Sequence, residues 1–214
     1  MGDFFHPEKG IWVWLSTLVD VCGLSILWIT LCLPVVTAGP ATAALYYTVV
    51  KCVRGRESGA FGYYLRSFRI NFKTGFLAGL IVLPAAALLL FGHFIVRWYG
   101  TRLGGAAYVL YVAYYFALFL PAGVLCWLFP LLGRFEYGVG GLFRTALQLT
   151  AAHLPSTVVA VLLTAQTAVF CIERWWPVVF MPVISTLLVS LFFERIFLQH
   201  SPKPASPEAE DPEA

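Results

Sequence analysis

Residues 104–133 read GGAAYVLYVAYYFALFLPAGVLCWLFPLLG, without a single Asp, Glu, Lys or Arg. A helix needs about 20 mainly apolar residues to cross the hydrocarbon core of a bilayer, and this run exceeds that. In lipid every backbone N–H and C=O must be satisfied within the protein, so the run reads as a transmembrane helix. A closed β-barrel would show short stretches of alternating polarity instead. Four further runs have the same character: residues 12–36, interrupted only by Asp20, and residues 76–96, 146–172 and 175–193. The fourth is expected to enter lipid near Pro155, since proline is tolerated in a first helical turn. The fifth carries Pro182 and is expected to kink there. The fold expected is all-α, a polytopic transmembrane helical bundle of about five spans.

Composition agrees. Of 214 residues, 60% are apolar, 16% aromatic and only 12% charged, against about 25% charged in soluble domains. Fourteen Lys+Arg and eleven Asp+Glu cannot cover a globule of this length unless lipid replaces water around much of it. The mean hydropathy is +0.81. A disordered chain, a coiled coil and a disulfide scaffold are excluded. Trp12, Trp14, Trp98, Tyr99, Trp175 and Trp176 fall at expected span ends on one side, where amphipathic rings prefer the interface.

The cations are uneven. Lys51, Arg54, Arg56, Arg66, Arg69, Lys73, Arg134, Arg144, Arg195 and Lys203 follow spans one, three and five, whereas Lys9, Arg97, Arg102 and Arg174 lie on the other side. Positive charge marks the cytoplasmic side, so the amino terminus is expected outside and the carboxyl terminus in the cytoplasm. No cleavable signal peptide is evident. Residues 1–200 form the membrane domain in this reading. The tail at residues 201–214, SPKPASPEAEDPEA, has almost nothing apolar to bury and reads as disordered.

Between spans one and two, short amphipathic cytoplasmic helices are expected. Residues 41–53 form one, opened by Pro40 and closed by Gly55, too short to cross and so re-entrant or surface-lying. Phe61, Tyr64, Leu65, Phe68 and Phe72 make an apolar stripe beside the basic Arg66, Arg69 and Lys73. That second helix either lies in the interface or docks on the bundle. Nucleic acid is not an expected partner, because three cations beside rings make no extended basic groove.

Asp20 is the one Asp, Glu, Lys or Arg inside an expected span, and an intramembrane carboxylate is a functional candidate by default. His93 and Arg97 share the outer leaflet with it in this reading. Asp20 and His93 either form a proton relay or Asp20 is structural, capping a broken helix. Gln166, Thr164, Thr167, Ser185, Thr186 and Ser190 offer contacts of the kind that join membrane helices, though Ser and Thr also bond their own helix carbonyls. Gly75 with Gly79 makes a small-xxx-small pair. Near the cytoplasmic ends, Arg69 and Asn71 can bond unpaired helix-end carbonyls. Arg134, Glu136, Glu194 and Arg195 either cluster between helices or face water. No enzyme is expected. The cysteines at 22, 32, 52, 126 and 171 lack metal or redox spacing, and no HExxH, GxSxG, P-loop or GxGxxG is present. No cofactor or metal is therefore expected.

Four motifs together carry a resemblance: Leu33-Pro34-Val35-Val36-Thr37-Ala38-Gly39-Pro40 with Ala44-Leu45-Tyr46-Tyr47, Phe68-Arg69-Ile70-Asn71-Phe72-Lys73, Pro130-Leu131-Leu132-Gly133-Arg134-Phe135-Glu136, and His153-Leu154-Pro155. By their order and spacing the chain resembles the YesL family of bacterial membrane proteins, domain of unknown function 624, over about residues 11–200. The resemblance implies a multi-pass protein of the cytoplasmic membrane whose genes neighbour carbohydrate-uptake genes. It implies an accessory role beside a carbohydrate ABC transporter, with transporter subunits as partners. A small secondary transporter or oligomeric permease is the alternative. Five spans do not divide into the two equal halves usual in transporters.

Overall fold

The computed structural model describes residues 7–100, 105–135, 137–174 and 176–200, with side chains outside the description at 7–16, 90, 99–100, 105–108 and 199–200. Trp12, Trp14, Tyr99, Trp175, Glu136 and the 201–214 tail therefore lie outside the described side chains, while Trp98 and Trp176 are exposed. Among the described residues there are seven α-helices and no strand: α1 (Pro7–Cys32), α2 (Ala38–Thr48), α3 (Ala60–Gly100), α4 (Gly105–Arg134), α5 (Val139–Ala152), α6 (Leu154–Glu173) and α7 (Met181–His200). Four of them contain stretches long and apolar enough to cross a membrane: Ala60–Trp98, Val109–Arg134, Leu154–Glu173 and Met181–Leu198. The described apolar part of α1, Thr17–Cys32, is shorter. Phe116, Ile172 and Leu88 stand outward on these helices, more than two-thirds exposed. Outward apolar side chains along helices long enough to cross suit contact with lipid.

Pro34 removes the backbone donor that would continue α1. Thr37 closes the break, its Oγ1 donating to the carbonyls of Leu31 and Pro34, and a 3-10 turn, Val35–Thr37, leads into α2. The helix expected at 41–53 thus begins at Ala38 and ends in a π-helical segment, Val49–Arg54. It is not surface-lying. Gly39, Pro40, Ala41, Ala43, Ala44, Leu45, Tyr46 and Thr48 are all buried, and α2 wedges between α3 and α4. Glycine makes the wedge possible: a Cβ on Gly39 would collide with the Gly75 carbonyl oxygen, and one on Gly133 would come within 2.6 Å of that of Ala43. Close backbone approach through small residues is how membrane helices gain packing without a hydrophobic drive.

Residues 61–73 are not a separate helix. They form the first third of α3, 41 residues in one piece and about 60 Å long at 1.5 Å per residue. The apolar stripe is divided accordingly: Tyr64 is buried and donates to the Ala41 carbonyl (3.1 Å), whereas Phe61, Leu65 and Phe72 remain exposed. Gly23 of α1 lies against Phe61, and the Val36 carbonyl against Gly79. The path from 23 to 36 therefore follows the path from 61 to 79, so α1 and α3 run in the same direction, with α2 returning between them. Successive spans one and two were expected to be antiparallel; the return of α2 and its π segment between them explains the difference.

The run 146–172 is likewise divided. α5 ends at Ala152, His153 leaves helical geometry (φ −121°, ψ 54°), and α6 begins at Leu154 with Pro155 in its first turn, where entry into lipid was expected. Pro182 does not kink the last helix, because it stands in the first turn of α7. Two clusters make the core. One centres on Trp127, stacked on Phe193 at 3.7 Å between ring centroids and edge-on to Phe197; the other gathers Leu24, Leu45, Val49, Tyr64 and Val183. Neighbouring residues of α2 serve both: Ala43 and Tyr46 enter the first, Ala44 and Leu45 the second.

Candidate functional site

Burying a carboxylate is costly unless it is paired and hydrogen-bonded. Glu194 on α7 is buried beside the Trp127 cluster and has both kinds of partner: Tyr46 donates to Oε1 at 3.1 Å, and Arg134 Nη2 lies 3.3 Å from Oε2. Arg54 closes the same corner by donating from Nη1 to the Ser190 carbonyl at 3.1 Å. Three elements, α2, α4 and α7, are thereby tied at one point. Burial first, then the Glu194 carboxylate, hold the Tyr46 hydroxyl well above its usual pKa.

Of the residues expected at this end, the structure joins Arg134 and Glu194. Arg195 is exposed, one position further round α7, and Arg69 is exposed on α3. Asn71 caps no helix end; its Nδ2 donates to the Ser67 carbonyl at 3.1 Å and to Ser67 Oγ at 3.3 Å, inside α3. Tyr46 and Arg54 were missed as members, although Tyr46 lies in the Ala44–Tyr47 motif and Arg54 among the counted cations.

Asp20 and His93 are not brought together. Asp20 is half-buried on α1 close to Cys52, whose thiol is raised by burial first, then by Glu57 and Asp20. Gly23, one turn from Asp20, touches Phe61, and His93 lies 32 residues further along the same helix, about 48 Å at 1.5 Å per residue. His93 instead meets α4: its Nδ1 is 2.7 Å from Tyr115 Oη, which is 3.2 Å from Tyr111 Oη, while Tyr114 bonds the Leu89 carbonyl. Gln166 is exposed on α6. Most of the hydroxyls nearby turn inward on their own helices: Thr167 to Leu163, Ser185 and Thr186 to Pro182, and Ser190 to Leu187. Trp127 reaches across, donating to Thr157 Oγ1 at 2.9 Å beside the His153 break.

A cavity of about 540 Å³ opens between α4, α6 and α7, with Trp28, Thr42, Leu45 and Tyr46 contributing from α1 and α2. Its lining carries no charged side chain. Among the described residues no group of three or more His, Cys, Asp or Glu is placed to hold a metal ion.

The break at Pro34, the α2 wedge and the basic third of α3 all fall in one stretch. Residues 21–93 match the family described as a protein of unknown function, DUF624. The expected resemblance is thus found over the segment holding the first two of its four motifs. No curated protein and no solved structure matches the chain.

Proposed function

We propose that this DUF624 protein is a non-enzymatic accessory protein of the bacterial cytoplasmic membrane that assists carbohydrate uptake by contacting ABC transporter subunits. The carbohydrate association rests on the resemblance to the YesL family. The observation favouring an accessory role over a solute path is the cavity lining, which offers neither a charge nor, at Tyr46, Thr167, Ser185 or Thr186, an unpaired hydroxyl. A polar solute crossing there would shed its water without replacement. Partner contact falls to the end where α3 starts and α7 finishes: Arg66 and Arg195 are exposed there, and Arg69 and Lys73 carry the exposed basic face further along α3.

That end faces the cytoplasm in this reading, by the cation excess. Because α1 and α3 start at the same end, the start of α1 joins the carboxyl end of α7 there, in place of the outside location expected from charge counting alone. Affinity purification of the full chain from native membranes, with and without carbohydrate induction, tests the role. Co-purified transporter subunits support it. Substrate accumulation by the pure protein in liposomes would overturn it in favour of a secondary transporter or oligomeric permease.

A further inference from the structure

We infer that the cavity between α4, α6 and α7 is a binding site for one acyl chain of a membrane lipid. Its volume, about 540 Å³, lies within the roughly 300–1,000 Å³ of small-molecule sites. Most of its polar side chains are already committed: Trp28 Nε1 to Thr42 at 3.2 Å, Tyr46 to Glu194 at 3.1 Å, Thr167 to Leu163 at 2.8 Å, and Ser185 and Thr186 to Pro182 at 3.1 and 2.7 Å, while Thr164 Oγ1 accepts from the Cys126 thiol at 3.9 Å. Among the described residues the buried side-chain polar atom without a partner is Ser25 Oγ, and Ser25 is not in the lining. Water needs two to four polar partners to settle in a cavity and would find few here. Sugars and ions would fare worse. An empty space forfeits the dispersion contacts of its walls, so an apolar occupant is favoured.

The surroundings say which one. Phe116 on α4, and Leu162 and Ile172 on α6, present exposed apolar faces, so the helices that wall the cavity stand in lipid. Ala122, Ala165 and Ala168 leave width for a chain between α4 and α6. An acyl chain is thin, flexible and already at hand on those faces. Filling the cavity also braces Tyr46, which forms both its wall and the Glu194 clamp.

The test uses the full chain in phosphatidylglycerol vesicles doped with phosphatidylglycerol carrying a mid-chain diazirine, irradiated and mapped by peptide mass spectrometry. The expected adducts fall on Cys126, Thr164 and Ser185 and saturate as doping rises. Ala168→Phe, which fills the space, should cut those adducts several-fold while adducts on Phe116 and Ile172 stay unchanged, with a cooperative thermal unfolding transition in detergent showing that the variant has folded. Wild-type adducts confined to outward residues would overturn the proposal whatever the variant does. So would lining adducts that persist undiminished in a folded Ala168→Phe.

Discussion

At the scale of single residues, Glu194 is the one charged side chain buried among the described residues. Removing Arg134 leaves its carboxylate buried with Tyr46 alone. Breaking a buried pair costs about 3–5 kcal/mol; a third of the Arg134 side chain is exposed, so solvent screens part of the charge and Arg134→Met should cost about 1–3 kcal/mol. Thermal unfolding in detergent should show Glu194→Gln milder than Arg134→Met, and the double variant close to Glu194→Gln. Equal additive losses would mean that the two residues do not form a pair. Tyr46→Phe removes a hydrogen bond to a charged group, worth about 1.5–3 kcal/mol. The raised Tyr46 pKa has a pH consequence. Its hydroxyl stays protonated when folded but ionises near pH 10 when unfolded, so stability is full below about pH 10 and falls above it. In Tyr46→Phe that alkaline loss should shrink, as read from melting temperatures between neutral pH and strong alkali.

At the scale of elements, α2 decides how the helices meet. A Cβ at Gly39 or Gly133 would press on backbone that cannot turn aside, and such overpacking costs about 1–3 kcal/mol. Gly39→Ala and Gly133→Ala should each lower the melting temperature clearly, while Gly79→Ala, whose nearest contact is 3.2 Å, should lower it less. Pro182→Ala should be nearly silent, because Pro182 sits in a first turn that needs no amide donor. A large loss there would restore the expected kink. The reasons for reading helices correctly and their joints incorrectly are physical. Apolar run length is local and visible, so α4 was legible almost to the residue. Whether residues 61–73 continue into 76–96 depends on no breaker standing between them, and Lys73-Thr74-Gly75 resembles a boundary without being one. Burial of α2 depends on glycines of α3 and α4, 36 and 94 positions away from Gly39, which no local pattern reports.

At the scale of the whole molecule, the chain is a helical bundle whose outward faces suit lipid, with Arg54, Arg134, Glu194 and Arg195 at one end and Arg97 toward the other. The Arg134–Glu194 juxtaposition was open to sequence reasoning because both residues leave their spans on one side. Tyr46 was not, since its partner lies 148 positions away and Tyr in a short helix usually signals an interface. The supposed link between Asp20 and His93 failed for a related reason: equal depth was inferred from counting antiparallel spans, and α1 runs with α3 instead. Orientation carries the largest claim. In a background without the native cysteines, single cysteines at Lys9, Arg97 and Arg195 are to be labelled with a membrane-impermeant maleimide in intact cells and again after lysis. The account predicts labelling at 97 in intact cells and at 9 and 195 only after lysis; labelling at 195 in intact cells, or release of the chain from membranes by alkaline carbonate, would contradict it.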